Sequence, residues 1–174
     1  YGLAFACLFS RCPLKMKTSI KILLLGVGMV AVYGGAKTIK NESLELDHFT
    51  RGEFGIWWPL MSADILKKLD LFRKEWGAPV VISSHPDGLG RKDSTGSMHN
   101  VLKWGEVRAV DVFPEGMNNL YQRRRAFAIA RKVGFTGIGL YTDTRPSNML
   151  HLDNRPDFLY WTRVNKKYNY RVVV

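Results

Sequence analysis

Met149-Leu150-His151-Leu152-Asp153 alternates side chains at the period of a β-strand. The run reads as a strand over 149–152, with His151 and Asp153 on one face and the leucines on the other. Upstream, Gly137-Ile138-Gly139-Leu140-Tyr141 reads as a strand, and a loop through Pro146 joins the two. Arg108 to Phe113 alternates before Pro114 and gives a further strand, in which Asp111 sits between Val110 and Val112. Pro79-Val80-Val81-Ile82-Ser83 is a short buried strand, followed by a loop-forming run from Ser84 to Gly96. Two helices complete the pattern. One opens at Ser62-Ala63-Asp64, turns Ile65, Leu69, Leu71, Phe72 and Trp76 inward, and ends at Gly77. The other is capped by Asn118, runs to about Val133 with Leu120, Phe127, Ala128 and Ala130 inward, and stops at Gly134. The fold class expected is α+β: a small antiparallel-rich sheet with helices packed on one face.

With 174 residues, 46% hydrophobic and 24% charged, the chain has the composition of a globular domain. Its formal charge is +11, and four of its 26 basic residues lie in residues 1–36, which hold no acid. Residues 37–174 therefore carry 22 basic against 15 acidic side chains, +7, which favours polyanions such as an anionic cell wall, a membrane surface or nucleic acid. Arg123-Arg124-Arg125 reads as a solvated helix face, and the sequence holds no nucleic-acid-binding motif, so no nucleic-acid partner is expected. The sequence does not specify an oligomeric state.

The front of the chain reads as an address. Met16 to Lys21 is a short positive stretch, and Ile22 to Ala36 is uncharged, with Gly34 and Ala36 as small residues for cleavage. Residues 1–36 are thus expected to be upstream residues plus a signal peptide or signal-anchor. They predict export to the periplasm or cell wall, with a membrane contact through residues 22–36. Residues 37–59, with Phe49, Phe54, Trp57 and Trp58, read as a linker or docking arm, and 60–174 as the folded domain.

Both cysteines, Cys7 and Cys12, lie in the front end, so the domain cannot hold a metal through sulfur. The donors left are carboxylates and four histidines: His48, His85, His99 and His151. His99 follows the flexible loop, and Asp111 stands inside a strand, where a carboxylate is costly unless paired or metal-bound. Together with His151 they make a candidate three-ligand cage for Zn2+ that leaves a fourth position open, as catalytic zinc sites do.

Ser97-Met98-His99, Arg108-Ala109-Val110-Asp111-Val112, Gly139-Leu140-Tyr141 and His151-Leu152-Asp153-Asn154-Arg155, in this order, resemble motifs of a known family. It is that of the zinc D-Ala-D-Ala carboxypeptidases and L-Ala-D-Glu endopeptidases, which cut peptidoglycan stem peptides and share the Hedgehog/DD-peptidase zinc-binding fold. The resemblance spans roughly Met61 to Arg155. It implies zinc held by His99, Asp111 and His151, and a peptidoglycan peptide as substrate, as in a phage lysis or wall-remodelling enzyme. From the His-x-Asp form of the family, Asp153 is the first candidate for the general base, with an imidazole-orienting role as the alternative; Glu106 and Asp143 are the other candidates. Arg91 or His85 would hold the oxyanion or the terminal carboxylate of the substrate. Three features depart from the family. The gap from His99 to Asp111 is twelve residues, longer than usual; Val107 replaces a glycine; and Asn148 stands where many members carry the catalytic acid. The last of these leaves a non-catalytic peptidoglycan-binding module of the same fold as the competing reading.

Overall fold

The computed structural model describes residues 41–93 and 96–170, which belong to one compact unit. The signal or anchor expected over 1–36 lies outside the described residues. Among those described, no helix is long and apolar enough to cross a membrane.

The elements in chain order are α1 (Arg51–Phe54), a 3-10 helix (Gly55–Leu60), α2 (Ala63–Trp76), β1 (Val80–Ile82), α3 (Val101–Trp104), β2 (Ala109–Pro114), α4 (Leu120–Lys132), β3 (Gly137–Tyr141), β4 (Met149–Asp153), β5 (Leu159–Val164) and β6 (Lys167–Tyr170). The strands form one six-stranded sheet in the order β1-β2-β4-β3-β5-β6. Every neighbouring pair is antiparallel except β3 with β5. The chain is therefore a mixed α/β fold of the α+β kind.

Alternation along the strands sorts the sheet into two faces. Val110, Val112, Ile138, Leu140, Leu150 and Leu152 all join the apolar core, which also holds Ile65, Leu69 and Phe72 of α2 and Ala126, Ile129 and Ala130 of α4. The intervening residues Asp111, Gly137, Gly139, His151 and Asp153 belong to the opposite face. The expected α2 forms as read, with Gly77 in the left-handed conformation at its end (φ 69°). Leu71 is nevertheless exposed, because it stands about 100° around the helix from the buried Phe72. In α4 the cap is Asn119 rather than Asn118: the Asn119 side chain accepts from the Gln122 N–H at 2.9 Å. Leu120 and Ala128 are exposed, since the buried stripe runs through Ala126, Ile129 and Ala130 and Ala128 lies opposite it.

The aromatic arm before residue 60 packs into the core with Phe49, Phe54 and Trp58 buried. A buried carboxylate on α2 holds it: Asp70 accepts from the backbone N–H groups of Asp47 (3.3 Å), His48 (2.8 Å) and Phe49 (3.2 Å). Three donors compensate that charge for the water it loses.

Strands β5 and β6 are not among the elements expected from the sequence. They form a hairpin whose two turn residues, Asn165 and Lys166, both have positive φ (50° and 63°). That is the backbone of a two-residue hairpin turn, whose usual sequence is Asn-Gly. Lysine in the second place hides the signal.

Candidate metal centre

The site is built on the centre of the sheet. Asp111 of β2 is the direct cross-strand partner of His151 in β4, and on its other side His151 is opposite Gly139 in β3. His99 comes from the segment that crosses this face. Its position is fixed by backbone bonds on both sides: Arg91 N–H to His99 O (3.0 Å) and Arg108 N–H to Met98 O (2.9 Å). The long gap between His99 and Asp111 is taken up by α3, a single turn. Asn100 caps it by accepting from Leu102 and Lys103 N–H, and Gly105 ends it at φ 71°. The added residues thus close on themselves, and the ligand reaches the sheet. Upstream, Ser83 N–H donates to Asp111 O (2.8 Å) and Asp111 N–H to Gly88 O (2.9 Å), which ties the loop to β2.

His99, Asp111 and His151 come together as a group that could hold a metal ion. The facing atoms form a small triangle: His151 Nδ1 to Asp111 Oδ1 is 2.9 Å, His99 Nε2 to His151 Nδ1 3.2 Å, and His99 Nε2 to Asp111 Oδ1 3.5 Å. Donors at about 2.0–2.2 Å from a tetrahedral ion stand about 3.3 Å from one another, so the triangle has the size such an ion needs. The outer ring nitrogens of both imidazoles are engaged elsewhere. His99 Nδ1 donates to the Leu89 carbonyl, and His151 Nε2 donates to Asp153 Oδ2 at 2.8 Å. In the neutral tautomers this leaves lone pairs on His99 Nε2 and His151 Nδ1, both directed at a carboxylate oxygen. Three acceptors at these distances repel unless a cation lies between them, either a proton or a metal ion.

In the metal-free chain that cation is a proton. Burial pushes the His151 imidazole down, but hydrogen bonds and charge from Asp111 and Asp153 outweigh it and raise its pKa to about 9. Burial likewise pushes the two carboxyls up. Hydrogen bonds to His151 and His99 nevertheless hold Asp111 far below the usual carboxylate range, and bonds to His151 and Arg155 do the same for Asp153.

Asp153, read first as a base, is fully buried at 0% exposure. It faces the outer nitrogen of His151, away from the converging atoms, and Arg155 grips it through Nε (2.9 Å to Oδ1) and Nη2 (2.5 Å to Oδ2). Its geometry is that of a group that orients an imidazole. Asp143 accepts from Arg163 Nε (2.9 Å) and Lys166 N–H (2.6 Å) at the β5–β6 hairpin, while Glu106 pairs with Arg108 Nε at 3.1 Å. His85 is exposed on its turn, with Nδ1 accepting from Asp87 N–H at 3.2 Å. Arg91 is joined to His99 through the backbone, and its Nε is buried without a hydrogen-bond partner among the described residues. Asn148, in the place of the acid, donates to the Met117 carbonyl at 2.7 Å.

Three residues of this face go unassigned in the sequence reading. Arg155 carries the His-x-Asp alternation one step further, so its period was visible. Trp161 of β5 lies opposite Gly139, with its ring 5.2 Å from that of His151. A Cβ on Gly139 would collide with the Trp161 indole, and one on Gly137 with the Asp153 carboxylate. The two glycines therefore make room for the side chains that wall the site. Tyr141 completes the row by accepting from the Trp161 indole N–H at 3.1 Å. Comparison with family models, with curated proteins and with solved structures gave no match.

Proposed function

We propose that this chain is a zinc-dependent peptidase that cuts peptidoglycan stem peptides, of the D-Ala-D-Ala carboxypeptidase or L-Ala-D-Glu endopeptidase type. The observation that carries the reading is the convergence of three acceptor atoms whose outer partners fix both imidazoles as metal donors. Two imidazoles and one carboxylate suit zinc and leave coordination positions open. The substrate class comes from the motif resemblance, and so do the Hedgehog/DD-peptidase fold and an exported setting at the wall, phage lysis included.

A zinc ion held by His99, Asp111 and His151 would supply a Lewis acid for the scissile carbonyl and a water whose pKa is lowered to about 7. Asp153 and Arg155 keep the His151 ring in one tautomer and one orientation. The Leu89 carbonyl does the same for His99. Arg91, whose buried Nε has no partner among the described residues, is the group on this side suited to a substrate carboxylate. His85 is the exposed alternative on the same loop.

The engagement of Asp153, Asp143 and Glu106 with other partners, together with Asn148, favours one second reading: a module that binds the wall and does not cut it. Digestion of purified peptidoglycan separates the two. The peptidase should release stem-peptide fragments or D-alanine, lose this activity in a chelator and regain it with zinc. Undiminished cutting in the chelator sinks the metal role, and firm wall binding without cutting favours the module.

A further inference from the structure

On the peptidase reading above, we infer that Tyr141 is a further catalytic residue: its phenolic O–H hydrogen-bonds the carbonyl oxygen of the substrate as that oxygen gains negative charge, and Trp161 positions it.

The placement follows from the register. Gly139 stands between His151 and Trp161 in neighbouring strands, and the Trp161 indole occupies the space that a side chain at 139 would take. The indole thereby comes against the His151 ring, 5.2 Å between centroids. Tyr141 lies two residues along β3 on the same face, its Cβ about 7 Å further on. To place its oxygen 3.1 Å from Trp161 Nε1, the phenol must lean back along the strand toward Gly139 and the metal centre. Arg163 stacks 4.6 Å from the Tyr141 ring and, bound to Asp143, braces its outer side.

The chemistry follows from which atoms are already used. The phenolic oxygen accepts the indole N–H, so the hydrogen of Tyr141 is what it can offer. On its other side the Tyr168 ring of the edge hairpin meets the Tyr141 ring edge-on, 6.1 Å between centroids. Burial holds the phenol well above its ordinary value, and the charges of Tyr168 and Asp111 act in the same direction, so Tyr141 stays a neutral donor. The triangle of His99, Asp111 and His151 presents acceptors alone. Arg155 and Arg163 are engaged with Asp153 and Asp143. A peptide carbonyl turning into an oxyanion needs a donor that strengthens as the charge grows, and a half-buried phenol supplies it with no proton changing hands.

The test uses the full chain with zinc, in wild type, Tyr141→Phe and Trp161→Phe. Tyr141→Phe should bind zinc as wild type does, lose about a hundredfold in kcat with KM within about threefold, and bind a phosphinate analogue of D-Ala-D-Ala about tenfold more weakly. Trp161→Phe, which keeps a ring over Gly139 and removes the N–H, should fall between the two. Wild-type turnover and phosphinate binding in Tyr141→Phe overturn the inference and leave the peptidase reading standing. Loss of zinc from Tyr141→Phe also overturns it, by making the phenol structural. If wild type binds zinc but neither cleaves nor binds the phosphinate, the peptidase reading fails and the inference fails with it.

Discussion

Along β4, Leu150 and Leu152 point into the apolar core with α2 and α4, whereas His151 and Asp153 belong to the opposite face, where the ligands meet. All five residues of the strand are buried, so burial alone does not distinguish the two sides. The leucine face is held by contacts that have no direction and can adjust. The polar face is a chain of directed bonds from Arg155 to Asp153, His151 and Asp111, in which each group is buried because the next one compensates it. One face therefore sets stability, and the other sets where a cation can be held.

Substitutions on the two sides should separate these roles. The largest effect on stability belongs to the core: Leu152→Ala, at a site with 0% exposure, should cost about 2–5 kcal/mol in denaturant unfolding. Below its lowered midpoint the same variant should still take up one metal ion, because no ligand has moved to the other face. On the polar side the expected change is in affinity. Asp153→Asn keeps the shape but removes the charge behind His151 and leaves Arg155 without its counter-ion. Competition with a chelating dye should find metal bound roughly 10–100-fold more weakly. Unchanged affinity would mean that His151 is oriented by packing against Trp161 rather than by Asp153.

The same contrast explains what the sequence made readable. Period-2 runs located β2, β3 and β4, and Gly77 marked the end of α2, because these signals are local. His99, Asp111 and His151 were legible as scarce donors in a domain without cysteine, and the structure brings them together. Asp153 read as a base from the His-x-Asp form of the resemblance, with an imidazole-orienting role as the alternative. Which nitrogen of His151 it meets depends on side-chain rotation, which spacing does not encode. The Asp70 clasp on the arm and the approach of Trp161 to Gly139 join residues far apart in the chain, so no window of sequence displays them. The β5–β6 hairpin escaped for a different reason, since Asn165-Lys166 adopts a turn that its second residue disguises.

A calorimetric zinc titration at pH 7 asks whether the His99, Asp111 and His151 atoms together hold a cation. With a pKa of about 9, His151 carries a proton at that pH in the metal-free chain, and this proton must leave when the ion enters. Wild type should take up one zinc per chain with release of about one proton, and His151→Ala none. Equal zinc binding by wild type and His151→Ala would contradict this expectation.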